Sequence, residues 1–142
     1  YRVIPKAILK FINKEKFKID GDGKSLRSFI YSEDIVCAIK KLLFKANPIT
    51  EYNFSSNHEV SIKDLIKLIS ELTNVDFDQL VEFGPERNGK DLIYRLDCTK
   101  AKKELFWENK TSLKDGLKKV NDWISSNLNN LNNQSCEYLH KI

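Results

Sequence analysis

The spacing of apolar positions along this chain follows two periods, and each marks a kind of element. Ile4, Ala7, Ile8, Phe11 and Ile12 share one helical face, so residues 2–13 read as a helix. Pro5 suits its first turn, where a missing N–H costs nothing. Phe17–Asp20 reads as a short strand ending in the turn Gly21-Asp22-Gly23-Lys24, and Arg27–Tyr31 as a second strand. Ser32 reads as the cap of a helix whose core face is Ile35, Ala38, Ile39, Leu42 and Leu43, ended by Asn47-Pro48. Glu51–Ser55 reads as a strand. Ser61 to Asp64 resembles a capping box, and Ile62, Leu65, Ile66, Ile69 and Leu72 behind it make the clearest amphipathic helix. Gln79–Phe83 reads as a strand, Gly84–Asp91 as a polar loop and Thr99–Leu105 as a short helix. A last helix starts at Thr111 or Ser112 and turns Leu113, Leu117, Val120 and Ile124 inward. Beyond Ser126 the sequence is rich in asparagine and reads as a frayed, low-complexity tail. The resulting order is mixed α/β with short strands. It lacks the run of strands a self-sufficient doubly wound sheet needs, and reads as pieces that complete another domain's sheet.

Composition narrows the class. The chain has 142 residues, 41% hydrophobic and 31% charged, which fits a globular domain. A net charge of +4 is too small to argue for nucleic acid or an anionic membrane, and neither is expected as a partner. No apolar run approaches the roughly 20 residues of a membrane span. Cys37, Cys98 and Cys136 are far apart and odd in number, and read as reduced thiols of a cytoplasmic protein. Methionine is absent and Tyr1 opens inside an apolar stretch, so a fragment of a longer chain is expected.

Most candidate chemistry fails on spacing. Gly23-Lys24-Ser25 suggests a phosphate loop, but Lys18 stands where that pattern needs its first glycine. Asp20-Gly21-Asp22-Gly23 suggests a calcium loop, but Lys24 and Tyr31 occupy ligand positions. His58 and His140 stand alone, and no metal site is expected. Glu33 and Asp34 read as helix N-terminal charges. What remains is a set of basic residues: Arg2 before Val3-Ile4-Pro5, Arg27 just after the glycine turn, and Arg87 with Lys90 in the Gly84–Asp91 loop beside Gly89. Arginine grips phosphate through two parallel bonds, and glycine lets backbone approach a ligand. The competing reading pairs these arginines with Glu33, Glu86 or Asp91.

The same positions carry a resemblance. Arg2-Val-Ile-Pro5, Gly21-Asp-Gly23 and Arg27-Ser-Phe-Ile-Tyr-Ser-Glu-Asp34 come first. Glu51-Tyr-Asn53-Phe, Arg87-Asn-Gly-Lys-Asp91 and Tyr94-Arg-Leu-Asp97 follow. Thr99 to Trp107, Thr111 to Leu117 and Trp123 complete the series. In that order they resemble the C-terminal half of the extended short-chain dehydrogenase/reductase family of NAD-dependent sugar-nucleotide epimerases and dehydratases, with the 4,6-dehydratases nearest. The resemblance runs from Tyr1 to about Ser126. It implies a substrate-binding portion over residues 1–126, the tail over 127–142, and an N-terminal Rossmann half elsewhere. That half binds NAD and carries the catalytic Tyr-x-x-x-Lys pair, so no catalytic or cofactor residue is expected here. It also implies a nucleotide-sugar substrate and a homodimeric full-length enzyme.

By resemblance, Arg27 and Arg87 hold the substrate's diphosphate and Arg2 approaches the nucleotide. Lys18 to Asp20 line the base pocket, and Asn53 contacts the nucleotide side. Lys90 stands in for a frequent histidine. The chain departs from the family at Asp20, where an aromatic is common, at Asn88 in place of proline, and at Phe106 in place of glycine. The last implies that the Thr99–Leu105 helix ends differently. The alternatives are a UDP-sugar 4-epimerase or decarboxylase of the same family, or a non-catalytic nucleotide-binding or interaction module.

Overall fold

The computed structural model describes residues 2–45, 50–56, 58–86, 89 and 91–133. The elements run α1 (Val3–Ile12), β1 (Phe17–Asp20), β2 (Leu26–Ser28), α2 (Ser32–Lys45), β3 (Glu59–Ser61) and α3 (Ile62–Leu72). There follow α4 (Phe77–Leu80), β4 (Val81–Gly84), α5 (Thr99–Leu105), α6 (Leu113–Ser126) and α7 (Leu128–Asn132). Strands β1 and β4 pair in parallel, and β2 pairs antiparallel with β3. No helix among the described residues is long and apolar enough to cross a membrane.

Two apolar clusters hold the chain together. In the larger, α1, α3 and α6 close over the inner face of β1 and β4. Ala7, Ile8 and Phe11 meet Leu65, Ile66 and Ile69 there, with Phe17, Ile19 and Val81 beneath and Leu117 and Ile124 alongside. These are the periodic positions read from the sequence, and each helix forms because its stripe has a partner. Ser61 and Ser112 cap α3 and α6, accepting from the backbone N–H of Asp64 and Asp115 at 3.0 and 3.1 Å. The smaller cluster joins α2 to α5 through Ala38, Ala101, Leu105 and Trp107, with Tyr52 and Phe54 against it. Phe54 meets the Trp107 ring edge-on, centroids 4.9 Å apart.

Asp34 fastens this second layer. It is buried, and its Oδ2 accepts from the Thr111 N–H at 3.0 Å. Its own carbonyl accepts from the Trp107 indole N–H at 2.9 Å. Burial pushes this carboxyl up, but hydrogen bonds from the backbone of Thr111 and Lys110 and from the Thr111 and Asn109 side chains outweigh it. The net effect holds Asp34 below the usual carboxylate range. The helix-terminal reading of Asp34 therefore holds for its place in the first turn and omits its larger contribution.

The sequence reading differs from the structure at six places. The strand expected over Arg27–Tyr31 ends at Ser28, because Tyr31 already accepts the first helical bonds of α2 from Asp34 and Ile35. Ser32 is thus the first residue of α2, not its cap. Glu51–Ser55 forms no ladder with a described strand, and β2 pairs with Glu59–Ser61 instead. On α2, Ile39 and Leu43 were expected inward and are 50% and 76% exposed, because α5 covers a face about a third of a turn away. Strand β4 starts at Val81, since Asp76 caps the short α4 by accepting from Asp78 and Gln79. The asparagine-rich stretch begins as α7, which buries Leu131 and pairs the Asn132 and Asn13 amides at 2.8 Å.

Phe106 corrects one further expectation. It ends α5 at φ 51°, ψ 40°, the left-handed conformation a glycine ordinarily supplies. The Lys41 ammonium supports this end by donating to the carbonyls of Leu105 and Phe106 at 3.2 and 2.6 Å.

Two stability predictions follow from these contacts. Asp34→Asn replaces an acceptor facing N–H donors with a group that is half donor, and should cost about 1–3 kcal/mol in urea unfolding. The folded state holds this carboxyl low, so its stabilisation is complete above the unfolded value near ~3.9 and is lost as pH falls through the folded value. Wild type should therefore lose its advantage over the variant on acidification. An advantage that does not change with pH would remove the charge from the account. Phe106→Gly should raise stability by roughly 1 kcal/mol by relieving the left-handed backbone. The ring is 72% exposed, so little burial is lost.

Candidate functional site

Parallel pairing sends both chain exits of the first sheet in one direction. Asp20 lies opposite Gly84 in the register. The Gly21–Lys24 turn and the Gly84–Asp91 loop therefore leave from the same carboxyl end of β1 and β4. That is where open α/β sheets place ligands. The Gly21 N–H reaches the carbonyls of Gly84 and Pro85 at 3.1 and 3.2 Å, tying the two exits together.

The turn itself is rigid. Gly21 and Gly23 sit at φ +71° and +72°, backbone that disfavours any side chain. Asp22 accepts from the Lys24 N–H at 2.9 Å and pairs with the Lys24 ammonium at 2.8 Å. That hydrogen bond and charge raise the Lys24 pKa. The Gly23 and Ser25 carbonyls accept from the Lys63 and Ile62 N–H at 2.9 and 3.1 Å, pinning the turn to the start of α3. Gly23-Lys24-Ser25 leads into strand β2 and not into a helix, which disposes of the phosphate-loop reading.

Arg27 reaches the far end of the loop. It lies on β2 opposite Val60, and its guanidinium donates to the carbonyls of Leu26 and Asp91, both at 2.7 Å. Residues 92–94 then run beside β2, with Leu26 N–H donating to the Leu92 carbonyl at 2.7 Å. The loop thus begins opposite Asp20 and ends under Arg27. Its contact with Asp91 is through a carbonyl, not the carboxylate, and among the described residues Arg27 forms no ion pair. The guanidinium is aimed by neutral acceptors.

Asn53 is on the extended run before β3, and its amide approaches the Asp97 carbonyl at 3.5 Å. Arg2 is exposed at the start of α1 and makes no side-chain capping bond. Arg87 and Lys90 lie outside the described residues. Sequence reasoning missed an arginine that, among the described residues, takes a carboxylate. Arg95 grips Glu59 with two bonds, Nε to Oε1 and a terminal nitrogen to Oε2 at 2.7 Å. The hydrogen bond and charge lower the Glu59 pKa and raise that of Arg95. The pair borders a cleft of about 500 Å³ with Ser56, Asp97, Lys102 and Asn109 on its walls. No spacing rule links residues so far apart in sequence.

The sequence profile described as GDP-mannose 4,6 dehydratase matches residues 1–120. The chain belongs to this family. Among its relatives, a trifunctional UDP-glucose 4,6-dehydratase/UDP-4-keto-6-deoxy-D-glucose 3,5-epimerase/UDP-4-keto-L-rhamnose-reductase of Arabidopsis thaliana is 36% identical over 89% of this chain and 19% of its own length. The human dTDP-D-glucose 4,6-dehydratase is 33% identical over 93% of this chain and 39% of its own. Among solved structures, UDP-glucose 4-epimerase with UDP-glucose from Thermotoga maritima is 30% identical with a TM-score of 0.83, over 89% of this chain and 40% of that one. A dTDP-glucose 4,6-dehydratase from Bacillus anthracis in complex with NAD is 25% identical, also at TM-score 0.83, over 90% and 40%. The chain thus spans from about a fifth to two fifths of the length of the family members it matches.

In this member of the family Gly23 leaves little room for a side chain. A Cβ at Gly23 would stand 3.0 Å from the Lys63 Cβ and 3.2 Å from its backbone nitrogen. Gly23→Ala should therefore destabilise by about 1–2 kcal/mol through left-handed strain alone, with the contact in addition. Chemical denaturation checks this, and a loss under ~0.5 kcal/mol would mean the turn shifts freely.

Proposed function

We propose that this chain is the substrate-binding portion of an NAD-dependent nucleotide-sugar 4,6-dehydratase and holds the nucleoside diphosphate of a hexose substrate. The observation that carries the reading is Arg27, a guanidinium aimed by two carbonyls at the carboxyl end of a parallel strand pair. In this reading Arg27 and Arg87 take the diphosphate oxygens, and Lys90 adds a third positive charge from the same loop. Asp20 faces the base from the opposite end of the loop. Asn53 contributes an amide on the nucleotide side, and Arg2 approaches the nucleotide from α1. Binding energy gathered at the diphosphate, away from the reacting carbons, positions the sugar.

The residues present do not fit NAD. The glycine turn that leaves β1 joins it to β2, opens no helix, and spends its first N–H on Gly84 and Pro85. No Tyr-x-x-x-Lys pair occurs in the sequence. The reading therefore assigns NAD and the chemical steps to the rest of a homodimeric enzyme. A UDP-hexose 4-epimerase is the second reading, favoured by the 30% identity to the Thermotoga enzyme.

Two experiments test the proposal. The chain alone, given NAD and dTDP-glucose or UDP-glucose, should show no turnover, and a keto-sugar product would refute the division of labour. In an enzyme containing this chain, Arg27→Ala and Arg87→Ala should each weaken dTDP or UDP binding by roughly 1.5–3 kcal/mol in calorimetric titration. Unchanged affinity would remove that arginine from the site.

A further inference from the structure

The segment that returns from the Gly84–Asp91 loop is held by few backbone bonds. The Leu26 N–H donates to the Leu92 carbonyl at 2.7 Å and the Tyr94 N–H to the Leu26 carbonyl at 3.4 Å. Together they make one parallel bridge, between Leu26 and Ile93. Burial adds little, since Leu92, Ile93 and Tyr94 are 72%, 55% and 55% exposed. The next residue is Arg95, whose guanidinium takes both oxygens of Glu59.

Glu59 is the first residue of β3 and lies opposite Ser28, while the neighbouring Val60 lies opposite Arg27. Successive side chains of a strand point to opposite faces, so Arg27 and Glu59 leave this ladder on opposite sides. Arg27 reaches the Asp91 carbonyl from one side, and Glu59 grips Arg95 from the other. The Glu59 side chain is 15% exposed and that of Arg95 70% exposed. The carboxylate is therefore the anchor, set by its strand, and Arg95 is the arm that reaches to it. Two parallel bonds fix orientation as well as distance. An exposed ion pair ordinarily adds little to global stability, so this one acts on the segment it holds.

That segment carries a carbonyl that aims Arg27. Asp91 stands four residues before Arg95 in the chain. With the pair broken, the bridge at Leu26 would hold the segment through two backbone bonds, one of them long. The Asp91 carbonyl would then sample several positions, and so would the guanidinium it orients. A ligand would have to order both on binding, which lowers affinity without removing any contact to the ligand.

We infer that the Glu59–Arg95 pair is a strap that positions the return of the loop and, through the Asp91 carbonyl, the Arg27 guanidinium that receives the substrate's diphosphate. Glu59 and Arg95 are positioning residues and touch no substrate. This rests on the functional reading above and adds to it how the charge is held in place.

The test uses an enzyme containing this chain, with dTDP and UDP as probes. Arg95→Met and Glu59→Gln should each weaken binding of the tighter of the two by about three- to tenfold in calorimetric titration, with the urea-unfolding midpoint unchanged. Hydrogen exchange at the Leu26 and Tyr94 amides, which report the bridge, should quicken at least about fivefold in both variants. The double variant should lose no more than either single one, because both changes break the same pair. Exchanging the partners, Glu59→Arg with Arg95→Glu, should bring affinity back to within about twofold of wild type, which a loss of packing would not allow. Unchanged exchange at Leu26 and Tyr94, additive losses in the double variant, or no recovery in the exchanged pair would each overturn the inference. Arg27→Ala in the same titration separates the two claims. Nucleotide binding that depends on Arg27 and ignores both strap variants would sink the strap alone. Quickened exchange in an enzyme whose nucleotide binding ignores Arg27 would sink the functional reading alone.

Discussion

One buried carboxylate holds the two halves of this fold in register. Asp34 lies in the first turn of α2, yet its oxygens serve a segment more than seventy residues later in the chain, at Thr111. Its carbonyl meanwhile fixes the Trp107 indole. A buried charge is tolerated only when its oxygens are well supplied with donors, and the 109–111 backbone and side chains supply them. Remove that match and the α2–α5 layer keeps a small apolar cluster and the Lys41 bonds to Leu105 and Phe106. The larger cluster around α1, α3 and α6 does not reach it. The same bonds place Trp107 for its edge-on contact with Phe54, so the extended run before β3 is located through Asp34 as well.

The legible parts of the fold are those in which local pattern and tertiary partner agree. The stripe of α3 with its Ser61 cap, the four residues of β1 and the seven of α5 could all be read directly. Each completes its burial or its hydrogen bonds within the chain. Glu51–Ser55 has equally good strand chemistry and forms no strand, because a ladder needs a second chain segment that sequence periodicity does not report. Likewise both faces of α2 carry apolar residues, and nothing local says which face α5 takes. Phe106 shows the reverse case. The absence of glycine argued for a different helix end, but the Trp107 anchor and the Lys41 bonds impose the left-handed conformation regardless.

The candidate site was legible only in part, for a related reason. Arginines beside glycines could be picked out by type, and Arg27 does sit at the end of the glycine-flanked loop. Which arginine is neutralised could not be read. Arg27 and Arg95 are both basic residues at strand-like positions, yet Arg95 is locked to Glu59 while Arg27 meets only carbonyls. The difference is set by β3, which brings Glu59 beside Arg95 and Val60 beside Arg27.

That contrast bears on function more than the inventory of basic residues does. A guanidinium already paired with a carboxylate must give up that partner before it can hold a phosphate. One oriented by carbonyl acceptors gives up nothing and retains donors for an incoming anion. The carbonyls come from Leu26, on the same strand, and Asp91, at the end of the loop. The loop's position is fixed in turn where Gly21 meets Gly84 and Pro85. Both the tie at the start of the loop and the acceptors that aim Arg27 are therefore backbone groups.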